Sequence, residues 1–176
     1  MLPRKYEYLA REDGPKMLVE ALRLHGTRET AGPGNTPEIM AWAREMGGDL
    51  ARVFTADSIP WCGLFMAIVA RRAGKPDCVQ PLWARAWASW GQASPRAALG
   101  DVLVFIRPNG GHVGLYVGED STHYHVLGGN QGNAVSIVRI AKARCIAVRR
   151  FYRIAPPASV RPIRLAANGP VSTNEA

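Results

Sequence analysis

The chain is poor in cysteine, with Cys62, Cys78 and Cys145 as its three thiols among 176 residues and no C-x-x-C pair. An odd, widely spaced set argues against both a disulfide framework and a cysteine zinc knuckle, and reads as reduced thiols. Long apolar runs are also missing. No stretch approaches the ~18 apolar residues a membrane span needs, and Met1 to Glu7 lack the apolar core of a secretion signal. The expectation is a protein made soluble in a cytoplasm, without signal peptide or membrane span. Acidic groups are the scarcer charge, 14 against 22 Lys and Arg, for a net charge of +8. Such a surface attracts polyanions: nucleic acid, anionic lipid or teichoic acid. The arginines are scattered, as in Arg71-Arg72, Arg149-Arg150 and Arg161, and no aromatics interleave with them, so nucleic acid is not an expected partner.

Hydrophobic residues make up 47% of the chain, enough for one core and too few residues for a second full domain. Helix signals come first. Apolar positions from Pro15 to His25 have helical spacing and stop at Gly26. The segment Glu29 to Asn35 is rich in turn formers. Thr36-Pro37 opens a helix that runs to Met46, before Gly47-Gly48. Ser58 can cap a third helix from about Ile59 to Ala73, with Phe65, Met66, Val69 and Ala73 as its apolar stripe. Leu82 to Trp90 reads as a short helix with Trp83, Trp87 and Trp90 on one face, either packed in the core or bound to sugar rings.

Beyond Trp90 the period changes to two. Asp101–Ile106, His112–Gly118, His123–Leu127, Ala134–Ile140 and Cys145–Phe151 are short strand-like runs with short connections, which predict antiparallel neighbours. Helices followed by a five-stranded antiparallel sheet make an α+β domain over residues 1–154. Residues 155–176 are Pro-rich and without periodicity, and predict an extended or disordered tail.

Cys62 falls in the first turn of the third predicted helix, where the positive helix end favours a thiolate and unpaired N–H groups can hold an oxyanion. Equally, a Cys in an apolar helix can be a small core residue. His112 follows Gly110-Gly111 at the start of a strand, suited to pair with such a thiol as base, though a lone His is often a simple hydrogen-bonding group. A third group would orient the imidazole. Asn130 is the choice, with Gln131 and His125 still open, and Asn130 also fits a left-handed turn. Trp61 and Asp57 flank Cys62 and can line a substrate groove or serve packing and capping. His123 and His125 share a strand face but lack a third ligand, so no metal and no cofactor are expected.

The motifs Ile59-Pro60-Trp61-Cys62-Gly63-Leu64-Phe65, Gly100 to Phe105, Gly111-His112-Val113-Gly114-Leu115-Tyr116-Val117-Gly118 and Leu127-Gly128-Gly129-Asn130-Gln131 stand in that order. Together they resemble the NlpC and CHAP peptidoglycan hydrolases, and more narrowly the phage- and prophage-associated branch, over residues 15 to 150. The resemblance implies a papain-like fold and cleavage of an amide in bacterial cell-wall peptide. Cys62 would be the nucleophile, His112 the general base and Asn130 the orienter, with Trp61 at the substrate. It departs from the NlpC pattern at Trp61-Cys62, where Asp-Cys is usual, and a His is often the third member there. The expected partner is peptidoglycan and the expected state a monomer. The enzyme would be an endopeptidase or amidase made in the bacterial cytoplasm and delivered to the wall by holin-type release, secretion or a virion. An endolysin is the first reading. A secreted antibacterial amidase effector, a tail-associated lysin of the same fold, or a catalytically silent wall-binding module are the alternatives.

Overall fold

A computed structural model describes residues 1–173 of the protein, with the helices first in the chain and the sheet after them. A 3-10 segment, Arg4–Arg11, precedes α1 (Lys16–Arg23), α2 (Pro37–Met46), α3 (Gly48–Val53) and α4 (Cys62–Arg72). A second 3-10 segment, Ala84–Ser89, leads to β1 (Gln92–Ala93), β2 (Val102–Arg107), β3 (Gly110–Glu119), β4 (His123–Gly128), β5 (Ser136–Ala141) and β6 (Cys145–Arg150). The architecture is α+β with one antiparallel sheet of six strands in the order β1-β6-β2-β3-β4-β5.

The sheet thus has six strands where five were expected. Its extra member, β1, is only two residues long and has no period to read. A simple meander is also corrected, because β6 leaves its predecessor β5 and pairs with β2. In a flat sheet four strand spacings would separate β5 from β6, about 19 Å. Only the three residues Lys142–Arg144 join β5 to β6, as a 3-10 turn. A turn rising ~2 Å per residue covers that gap only if the sheet curls on itself. Inside the curl lie Leu103, Phe105, Tyr116, Val126 and Ile140, all buried. The other face carries Val102, Val104, Val113, Leu115, Val117 and Leu127 against the helices.

The third helix begins at Cys62 rather than near Ile59, and Ser58 caps nothing. Pro60 explains the shift, since a residue before proline is pushed out of the helical region. Helix α3 is an addition to the expected elements, since only Gly47-Gly48 reads there, as a helix stop. Gly47 and Gly48, both with positive φ, break the axis and let a new helix start at once. The Leu82–Trp90 helix is instead a 3-10 segment, whose three residues per turn take Trp83 off the face of its partners. Trp87 and Trp90 are core residues, while Trp83 is 73% exposed.

Residues 155–173 run extended and tied down. Leu99 N–H donates to Arg161 O (3.0 Å), Glu119 N–H to Ile163 O (2.8 Å) and Arg139 N–H to Pro170 O (2.9 Å). The end of the expected tail, 174–176, lies outside the described residues.

A buried polar chain fastens the N-terminal segment to the sheet. Asp120 Oδ1 accepts from the N–H groups of Thr122 (2.9 Å) and His123 (3.0 Å), and Oδ2 accepts from Arg139 Nε (2.8 Å). Burial would raise this carboxyl, but those bonds outweigh it and hold it well below the usual range. Because a carboxylate only accepts, His125 Nε2–H is the donor in the 3.2 Å contact to Oδ2, and Nδ1 then accepts from the Tyr6 hydroxyl at 2.8 Å. Burial, then the charge of Lys5, brings His125 down to about 4. A histidine held neutral contributes stability that is complete above its unfolded pKa of about 6.5 and is lost as pH falls toward the folded value. Urea midpoints should therefore drop between pH 7 and pH 5, and Tyr6→Phe should cost about 1–2 kcal/mol at pH 7. A flat profile over that window would remove the buried neutral histidine from the account.

Candidate active site

Helix α4 carries Cys62 as its first residue, preceded by Trp61, whose indole is wholly buried and donates to Glu29 Oε2 at 3.0 Å. Trp61 also packs against Trp42, ring centre to ring centre 6.0 Å, so packing is the role the structure gives it and no part of it faces a groove. Asp57 likewise turns inward. It accepts from Thr36 N–H at 2.7 Å, while its own N–H donates to Asn35 Oδ1 at 2.9 Å, and so it holds the turn-rich loop in front of α2. Gly63 follows the cysteine because nothing larger fits. A Cβ there would lie 2.9 Å from the Leu82 carbonyl carbon and oxygen.

The sheet brings β3 against α4 at this point, and the Val113 backbone N–H lies close enough to the Cys62 sulfur to favour its anion. His112 is the residue before Val113, so the topology sets the two expected reactive residues on neighbouring backbone. Burial raises the Cys62 thiol above its ordinary pKa; the N–H groups of Val113, Gly63 and Cys62 itself and the charge of Arg107 pull the other way without overcoming it. Cys62 is therefore a neutral thiol at rest. Cys78 and Cys145 are raised by burial too, Cys145 to about 11, and among the described residues no imidazole acts on either.

The residue that holds His112 is Gln131, and this corrects the choice of Asn130. Gln131 Oε1 lies 3.0 Å from His112 Nε2. The other end of the same amide donates to Ser136 O (2.6 Å) and Val126 O (3.2 Å). Two carbonyls can only accept, so the NH₂ must face them and Oε1 must face the imidazole. An acceptor at Nε2 in turn requires the proton on Nε2, which leaves the lone pair of the neutral ring on Nδ1. Asn130 has φ 55, the left-handed turn conformation, and its Oδ1 is buried with no hydrogen-bond partner among the described residues. The turn puts the Asn130 side chain out of step with the imidazole and the next residue in step. His125 is taken up in the Tyr6 and Asp120 chain described above.

Gly128 passes directly behind this pair. A Cβ there would stand 2.8 Å from Gln131 Oε1 and 3.1 Å from His112 Nε2. Gly111, next to His112, is covered by the Arg85 side chain, 2.6 Å from where its Cβ would be. The segment Pro81 to Arg85 therefore borders both Gly63 and Gly111, and the exposed Trp83 sits in that border. Arg85 was not singled out from sequence, and Trp83 only as one of the tryptophan stripe that either packs in the core or binds sugar rings. Among the described residues, no three His, Cys, Asp or Glu gather as metal ligands.

The tautomer argument has a direct check by ¹⁵N NMR of the histidine ring. His112 should be the Nε2–H form in the native protein and in Asn130→Ala, and should lose that preference in Gln131→Ala. Gly128→Ala should disturb it too, because the new methyl group falls between the two side chains. The reverse ranking of the Asn130 and Gln131 variants would return the orienting role to Asn130.

No protein-family model and no curated protein matches this chain.

Proposed function

We propose that the protein is a papain-like cysteine hydrolase that cleaves an amide bond of the bacterial wall peptide. The observation that carries this reading is a thiol at a helix N-terminus near the Val113 N–H of β3, with the preceding residue of that strand a histidine whose Nε2 is held by a fixed amide oxygen. The order of the four sequence motifs supplies the substrate class, by resemblance alone.

The chemistry follows from the atoms. With Nε2–H bound to Gln131, Nδ1 of His112 takes the proton from the Cys62 thiol as sulfur attacks the carbonyl carbon. The oxyanion forms beside the N–H groups of the first turn of α4, which stabilise charge as it develops. The imidazolium returns its proton to the leaving amine, and a thioester remains. Water then loses a proton to Nδ1 and attacks the thioester, and the acid and the free thiol are released. A resting neutral thiol suits this order, since proton transfer and attack are coupled and no buried thiolate has to be maintained. Gln131 does not titrate, so the pH profile should show only two ionisations.

Cys62 and His112 expose 4% and 1% of their surface, and the reading requires the border around Trp83 to yield to substrate. That same burial favours the second reading, a module that binds wall polymer without cutting it. Digestion of purified peptidoglycan followed by mass spectrometry separates the two and also distinguishes amidase from endopeptidase products. Cys62→Ala and His112→Ala should each abolish release of fragments, by at least about 10³-fold; Cys62→Ala should leave the unfolding midpoint little changed, and His112→Ala should also cost about 1–3 kcal/mol of stability because Gln131 Oε1 loses its buried donor. Undiminished release by Cys62→Ala would remove the proposed nucleophile. Binding to whole walls should weaken as salt rises, because a +8 chain is drawn to an anionic polymer over a screening length of about 8 Å at physiological salt. Hydrolysis of a small neutral peptide should respond much less, and equal salt responses would contradict electrostatic capture.

A further inference from the structure

A cavity of about 620 Å³ opens at the far end of α4 from Cys62, where the end of the first 3-10 segment, the start of α1, the loop after α4 and the chain after β6 converge. At a rise of 1.5 Å per residue the length of α4 alone separates it from the thiol by about 15 Å. Its lining includes four cations, Arg11, Lys16, Lys75 and Arg153, beside the rings of Phe151 and Tyr152. Of the two carboxylates in the lining, Glu12 is engaged by Arg161 at 2.9 Å. None of the four cations forms an ion pair among the described residues.

Lys75 is the fixed point of this cluster. Its ammonium donates to Phe151 O at 2.8 Å and lies 4.5 Å from the centre of the Tyr152 ring. Burial and then the like charges of Lys16 and Arg153 lower its pKa, so the three cations lie close enough to repel one another. Gathering like charge in a concavity is unfavourable for the protein alone and is relieved by an anion. The rings beside the ammonium add a surface for a carbon chain to lie on. Two cations on separate elements plus one anchored between them suit successive phosphates on a flexible backbone rather than one compact ion.

We propose that this cavity binds the phosphodiester groups of an anionic polyol-phosphate polymer, holding the protein to the wall while Cys62 works at the opposite end of α4. The identity of the polymer rests on the wall-hydrolase reading; the anion site itself does not.

The test is calorimetric titration of the full chain with soluble poly(glycerol phosphate) at low ionic strength. Lys16→Gln combined with Arg153→Gln changes two exposed side chains, and Lys75→Met removes the anchored one. As a control, Arg44→Gln combined with Arg52→Gln takes the same charge from α2 and α3. Binding should weaken at least about tenfold in the cavity variants and stay within about twofold in the control. Equal losses in the cavity double variant and the control would overturn the proposal, since net charge alone would then explain binding. So would a single-stranded oligonucleotide that binds more tightly than the polymer with the same dependence on Lys16 and Arg153. Hydrolysis of a soluble wall peptide, measured in parallel, should be unchanged by the cavity variants. Failure of the wild-type protein to bind the polymer, with its hydrolysis intact, would fail the cavity alone, whereas cavity-dependent binding without any hydrolysis would fail the enzyme reading alone.

Discussion

Helix α4 has no solvent face from Cys62 to Ala70, and this burial sets the conditions for everything around it. A helix enclosed on all sides must bring its N-terminal turn into the core, where the free N–H groups need partners or charge. The cysteine at that turn inherits two opposed influences: a positive helix end that favours thiolate and a dry surrounding that forbids it. Burial prevails, and the thiol stays protonated. Reactivity at this sulfur then depends on a proton acceptor brought from another element, the part proposed for His112 on β3.

The sheet meets that demand through one side-chain amide. Gln131 spans the turn between β4 and β5 by donating to Val126 and Ser136 carbonyls, and its remaining atom defines which imidazole nitrogen carries the proton. A loop conformation and a protonation state are thereby the same fact. Gly128 keeps the space behind the pair open, and Gly129 is crowded by Phe65 and Trp61, so the Gly-Gly is a steric requirement. The second histidine of β4 answers to a different purpose, since Tyr6 and Asp120 engage both of its nitrogens and make it a fastening for the N-terminal segment.

Much of this was legible in the residues. The α+β class, the helix over Pro37–Met46, the antiparallel pairing of β2 to β5 and the placing of Cys62 at a helix tip all follow from periodicity and turn formers. What escaped reading depends on distance in space. The choice between Asn130 and Gln131 turns on one positive φ, which a Gly-Gly-Asn-Gln-Gly stretch permits at several positions. The pairing of β6 with β2 needs the curl of the sheet, which no local pattern encodes. Trp83 was grouped with Trp87 and Trp90 by α-helical spacing, and the tighter 3-10 turn separated them. Arg11, Lys16, Lys75 and Arg153 lie up to 142 positions apart by subtraction, and only the fold collects them.

The extended run at the C-terminal side has one further effect. Strand β5 is an outer strand of the sheet, and an outer strand carries unpaired donors and acceptors that can template another chain. Here Arg139 N–H is taken by Pro170 O and Ser172 N–H returns to Arg139 O, with Val171 bridged to Arg139 in parallel. The prolines flanking such a segment cannot extend a ladder of their own. The run therefore works as a stopper: it occupies the outer strand at Arg139 with a backbone that recruits no further strand, and blocks fibril-like growth at that point.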